Sequence, residues 1–159
     1  MDVRVGFGYD VHRFAKVGKP FLLAGVVING KEVVAHSDGD VLLHSLSNAV
    51  LSSIGLDDIG NYFPDNSQST ADIDSKDILL YSLSKLNETG YLLSNIVIDI
   101  HLERPKLKDY KEKIKEAVSL LTGLDEGRIA IHANTGEKLG PVGNEECVIV
   151  YSQVCVIKN

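Results

Sequence analysis

The stretch AHSDGDVLLHSLSNAVLSSI, residues 35–54, reads as a polar loop feeding an amphipathic helix. Val41, Leu42, Leu46, Ala49, Val50 and Ile54 recur at helical spacing across residues 38–54, with Ser37 or Asp38 in the N-cap role. At about 100° per residue, His44 falls away from the centre of that apolar stripe, on the side shared by Asp40 and Asn48. One face is therefore built for a core. The other is polar, with acceptors one turn to either side that can orient an imidazole.

On the N-terminal side, residues 4–14 alternate as a strand. Residues 21–28 read as a second strand closed by the Asn29-Gly30 turn signal, giving an early hairpin. On the C-terminal side, SKDILLYSLSKLNE (75–88) stops at Gly90 and residues 108–121 stop at Gly123, so both read as helices. Residues 92–102, 128–133 and 147–157 are apolar and rich in β-formers. The last run is nearly uncharged on both faces, which places it centrally or at a subunit contact. This order predicts an α+β protein with one domain over residues 1–159, a mixed sheet and helices packed on one face. The other face then needs a cover, which a homo-oligomer supplies.

The chain's 159 residues suit one domain, and 44% apolar with 24% charged residues exclude a disordered or fibrous class. The longest uncharged run, residues 41–56, carries His44 and four serines in 16 residues, short of the roughly 18 apolar residues of a spanning helix. The opening MDVRVGFGYD lacks the apolar run of about 7 residues that a secretory signal needs, so the expected compartment is intracellular. Sixteen Lys and Arg against 22 Asp and Glu give a net charge of −6, without a basic block to track a nucleic acid. A phosphate ligand in such a chain needs local help from a metal ion, helix N-termini or a few placed lysines. Cys147 and Cys155, on one strand, lie roughly 26 Å apart at about 3.3 Å per residue and cannot pair, so both are expected to be small core residues.

Asp10 and His12, two apart on a strand, leave the same face and can converge on one ion. Joined by His44, they form two imidazoles and a carboxylate with a fourth position open, the donor set of a catalytic zinc site. The alternative is a chance Asp-x-His pair with His12 on the surface. The run His36-Ser37-Asp38-Gly39-Asp40 is either an anion cradle at a helix start or a plain capping loop. Residues 57–60 and 63–65 either present carboxylates to sugar-like hydroxyls or form an ordinary surface loop.

Taken together, GFGYDVHRF (6–14), AHSDGDVLLHSLSNA (35–49), DIGNYFPD (58–65), ERPKL (103–107) and TGEKLGPVG (135–143) resemble the 2-C-methyl-D-erythritol 2,4-cyclodiphosphate synthase family. The motifs stand in that family's order and spacing over nearly the whole chain. The resemblance implies a CMP-releasing lyase of the non-mevalonate isoprenoid pathway, acting on 4-diphosphocytidyl-2-C-methyl-D-erythritol 2-phosphate. It implies zinc on Asp10, His12 and His44, and a second divalent ion, Mg or Mn, on Glu137. His36 and Thr135 match the positions that stabilise the transition state, and Ser37 lies beside the phosphates. Asp58, with Ile59, Gly60, Phe63 and Asp65, matches the methylerythritol side. Leu102, Pro105, Lys106 and Lys108 match the cytidine pocket, with Asn134, Thr135 and Glu137 on its phosphate side. The family assembles as a homotrimer with active sites between subunits, which would cover the open sheet face. The implied compartment is cytoplasmic, or the plastid stroma for a processed form.

Several positions depart from the family pattern. His132 stands where a lysine is usual, Asn144 where an arginine is expected, Pro141 where an aromatic is common and Asn48 where an aspartate is frequent. The first three fall on the phosphate side of the cytidine pocket and near the trimer axis; the zinc ligands are intact. Two rival readings share these residues. One is a metal-dependent nucleotide diphosphate hydrolase using water as attacker. The other is a non-catalytic trimer that binds isoprenoid diphosphates along its axis.

Overall fold

The computed structural model describes residues 2–66 and 68–158. Its frame is a mixed six-stranded sheet in the order β2-β3-β1-β6-β4-β5, made of β1 (Asp2–Ala15), β2 (Lys19–Leu23), β3 (Val26–Val33), β4 (Tyr91–His101), β5 (Ile129–Asn134) and β6 (Cys147–Lys158). β4 and β5 run parallel; the other neighbouring pairs are antiparallel. β6 lies inside the sheet, one of the two placements that its uncharged sequence allows. The helices are α1 (Val41–Ser53), α2 (Ile59–Tyr62), α3 (Ser75–Glu88), α4 (Lys111–Thr122) and α5 (Gly140–Gly143).

α1 lies directly on β1 and β6 because Gly6 and Gly8 leave room for it. A Cβ on Gly6 would sit 1.9 Å from the Ala49 carbonyl oxygen, and one on Gly8 would sit 1.9 Å from that of Ser45. Ser45 Oγ reaches the Gly8 carbonyl at 3.2 Å and Ser152 Oγ at 2.8 Å, so its hydroxyl is satisfied inside the contact. The core on this side gathers Leu42, Leu46, Val50, Leu79, Ile96, Ile98, Val148 and Val154, all essentially excluded from solvent.

If Gly6 and Gly8 face α1, strand alternation sends Val3, Val5, Phe7, Tyr9 and Val11 to the opposite face. All five are exposed, Val5 by 70% and Phe7 by 52%. The single chain thus leaves an apolar sheet face open, as its sequence anticipates.

Beyond shifts of a residue or two at strand ends, three boundaries differ from the sequence expectation. The strand read over 21–28 is two strands, and the hairpin turn is Ala24-Gly25, with φ of 55° and 77°. Such a pair of positive φ values marks the turn type that matches strand twist. Alanine is unfavourable there, but its N–H donates to Asp40 Oδ1 at 3.1 Å and that of Gly25 to Asp40 Oδ2 at 2.6 Å. Asn29-Gly30 lies inside β3, with Gly30 at φ 93°. The N-cap of α1 is Asp40 rather than Ser37 or Asp38, and its Oδ1 also accepts from Leu43 N–H at 3.0 Å. α4 begins at Lys111 rather than 108, because Leu107 to Tyr110 first close a turn on the Leu107 carbonyl.

Candidate metal centre and substrate clefts

Asp10 and His12 emerge on one side of β1, and α1 brings His44 over them. Their ligand atoms lie within 4.8 Å of one another, and among the described residues this is the only group of three or more such side chains. Asp10 Oδ2 is 3.0 Å from His12 Nε2 and 3.0 Å from His44 Nδ1. The far ring nitrogens are engaged elsewhere: His12 Nδ1 lies 3.0 Å from the Gly39 carbonyl, and His44 Nε2 lies 3.1 Å from Ser37 Oγ and 2.8 Å from Ser75 Oγ. With Nδ1–H of His12 donated to a carbonyl, Nε2 is the nitrogen left to a metal ion. The donor set of two imidazole nitrogens and one carboxylate oxygen fits a divalent zinc-type ion with a position to spare.

Burial opposes ionisation of Asp10, but hydrogen bonds from His12 and His44 overcome it and hold the carboxyl at about 2. Burial likewise opposes a charged His12, yet the Asp10 hydrogen bond and charge raise its pKa above the ordinary value. Both shifts share one cause, the close contact of Asp10 with the imidazoles.

The triad opens into a cleft of about 400 Å³, also lined by His36, Ser37, Ile59, Gly60, Phe63 and Asp65. Lys19 Nζ anchors the 36–37 loop by donating to the carbonyls of His36, at 3.0 Å, and Ser37, while pairing with Asp72 at 2.6 Å. Asp58 stays outside the lining: it caps α2, its Oδ1 accepting from Gly60 N–H at 2.9 Å. A second cavity of about 400 Å³ collects Leu102, Pro105, Lys106, Lys108, Asn134 and Thr135. Glu137 sits beside it at φ 51°, receiving the Thr135 hydroxyl at 3.0 Å. The two cavities share no lining residue. Glu137 is not part of the triad's cluster.

Two orienting roles expected from the helical wheel go elsewhere. Asp40 is fully buried at the hairpin turn and does not touch the His44 ring; burial raises its pKa, and the N–H groups of Gly25, Leu43 and Ala24 partly counter that. Asn48 Oδ1 accepts from Ile59 N–H at 2.9 Å, tying α1 to α2. The wheel places residues on a face without naming their partners. Ser75, which does meet His44, is 31 residues away in sequence and carries no local signal.

The sequence profile of the YgbB family matches residues 3–157. The 2-C-methyl-D-erythritol 2,4-cyclodiphosphate synthase of Shewanella sediminis is 39% identical over 160 residues, covering 100% of this chain and 99% of its own length. A bifunctional enzyme IspD/IspF of Campylobacter jejuni is 42% identical over 154 residues, 96% of this chain but 41% of that protein. The solved structure of the bifunctional IspDF from Campylobacter jejuni superposes with a TM-score of 0.92 at 41% identity, over 98% of this chain and 42% of that one. The CDP complex of IspF from Plasmodium falciparum superposes with a TM-score of 0.87 at 31% identity, over 99% and 97% of the two chains. Fold, triad and full-length similarity agree, and the chain belongs to the YgbB family, that of the 2-C-methyl-D-erythritol 2,4-cyclodiphosphate synthases.

Proposed function

We propose that this chain, as one domain over residues 1–159, converts 4-diphosphocytidyl-2-C-methyl-D-erythritol 2-phosphate to 2-C-methyl-D-erythritol 2,4-cyclodiphosphate and CMP in the non-mevalonate isoprenoid pathway. The observation that carries the reading is the convergence of Asp10, His12 and His44 on one point of a polar cleft. An oxygen of the substrate's 2-phosphate attacks the β-phosphorus, the bond from that phosphorus to the bridging oxygen breaks, and CMP departs with the electron pair. No protein nucleophile is needed.

Asp10, His12 and His44 would hold zinc, and Glu137 would hold magnesium or manganese; when bound, these ions supply charge stabilisation to the diphosphate. The protein's own part is to fold a flexible polyanion back on itself. Asp58, Ile59, Gly60, Phe63 and Asp65 grip the methylerythritol, and Ser37 hydrogen-bonds the phosphates. His36 and Thr135 stabilise charge as it moves onto the leaving group. Leu102, Pro105, Lys106, Lys108 and Asn134 hold the cytidine half. Holding attacker and target in line is worth on the order of 7 kcal/mol.

The two halves of this machinery line separate cavities, and one sheet face is apolar and open. A homotrimer answers both: it covers the face and sets one subunit's cytidine pocket against a neighbour's metal cleft. None of the described helices is long and apolar enough to cross a membrane. We place the enzyme in the cytoplasm, or in the plastid stroma for a processed form. The test is incubation with the diphosphocytidyl substrate, zinc and magnesium. CMP with the cyclic diphosphate is expected. No CMP release rejects the reading, and a linear product assigns the site to hydrolysis instead. Sedimentation should give three times the mass of one chain; a stable monomer with full activity would overturn the shared site.

A further inference from the structure

Ser75 is the first residue of α3, fully buried and outside the lining of the metal cleft. Its Oγ lies 2.8 Å from His44 Nε2 and also meets Asp38 Oδ1, while its backbone N–H donates to Asp38 Oδ2 at 3.0 Å. A carboxylate offers only acceptors, so the hydroxyl proton points to Asp38. What Ser75 Oγ then shows to His44 is a lone pair, which takes Nε2–H. With Nε2–H held there, Nδ1 is the nitrogen left to a metal ion, beside Asp10 Oδ2 at 3.0 Å.

We propose that Ser75, backed by Asp38, is the positioning pair that fixes the tautomer and ring orientation of His44 as a metal ligand. The proposal rests on the metal reading above. Ser37 Oγ also lies 3.1 Å from Nε2, but it accepts the Gly39 N–H at 3.2 Å and opens on the cleft. With Ser75 taking the ring N–H from the buried side, the Ser37 hydroxyl is left to serve whatever enters the cleft. The arrangement also joins three separate segments, the 36–40 loop, α1 and α3, at one imidazole. An acceptor backed by a carboxylate makes the opposite nitrogen a better donor to a cation, the usual outcome of such hydrogen-bonded support behind a metal-bound histidine.

The experiment is zinc titration of the purified protein against a chromophoric chelator, with the cobalt-substituted visible spectrum as a second readout. Ser75→Ala should weaken zinc binding by about 10- to 100-fold, the typical cost of losing such a partner. Ser75→Thr, which keeps the hydroxyl, should restore it, and Asp38→Asn should weaken it by a smaller factor. Ser37→Ala should stay within about threefold of the parent while impairing turnover. Parent-like zinc affinity in Ser75→Ala overturns the proposal, as does a loss in Ser37→Ala as large as in Ser75→Ala. If Ser75→Ala fails to fold, unchanged affinity in Asp38→Asn overturns it instead. A parent protein that binds no zinc at all would overturn the metal reading itself, and the proposal with it.

Discussion

The metal cleft and the pocket around Pro105 are similar in volume, yet they are built on opposite terms. In the first, the rings and the loop beside them are held by other parts of the same chain: His12 by Gly39, His44 by Ser37 and Ser75, and the 36–37 loop by Lys19. In the second, Lys106 and Lys108 extend from a turn, and Thr135 and Glu137 hydrogen-bond mainly to each other on an exposed loop. On the function proposed above, the contrast means that one chain prearranges the ion-binding half and leaves the nucleotide half to be completed by a partner surface or by the ligand. Charge-neutralising geometry has to be rigid before substrate arrives, because reorganisation costs rate. A nucleoside pocket tolerates looser edges.

The contrast breaks hardest at His44. His44→Ala should lower turnover at least about a thousandfold, roughly 4 kcal/mol, and abolish zinc binding while the circular dichroism stays native. Retained activity there would mean that the rigid half is not the chemical half. Next comes the support beneath it. Gly8→Ala must push α1 off β1, and should lower stability by about 3 kcal/mol in urea unfolding, with metal binding lost alongside.

Asp40 tests the same half from behind. Asp40→Ala strips partners from three N–H groups and a helix cap, and should lower stability by about 2 kcal/mol or more. Because burial raises the folded pKa of Asp40, its contribution is full below the unfolded value and fades as pH rises through the folded one. Asp40→Asn should therefore flatten that part of the stability–pH curve, measured by unfolding at several pH values. The smallest effect is expected in the loose half. Lys106→Ala should raise KM about tenfold and leave kcat and zinc affinity near the parent values, the pattern of lost uniform binding.

How much of this was legible in the sequence depended on the range of each contact. Asp10 and His12 are two residues apart, so strand alternation alone puts them together, and His44 betrays itself by leaving the apolar stripe of α1. The open sheet face followed from the order of the elements, which puts the helices on one side. The hairpin turn did not, because Ala24-Gly25 lacks the Asn-Gly signature and is held by a carboxylate from Asp40. Asp40 itself was read as a partner of His44 because periodicity reports direction along a helix, not the backbone that waits there. Ser75 reaches His44 only through the packing of α3 on α1. The roles of Gly6 and Gly8 were equally hidden, since a glycine in a strand carries no mark of the helix that presses on it.

The bond from the Asp40 carboxylate to the hairpin has one more consequence. The Ala24 and Gly25 amides are held by the same side chain that starts α1, and the His44 amide closes the first helical turn on the Asp40 carbonyl at 3.1 Å. Deuterium uptake at those two turn amides therefore registers fraying of the helix start. Zinc that clamps His44 should slow that uptake, so an isotope label on the Ala24-Gly25 turn becomes a gauge of whether the ion is in place.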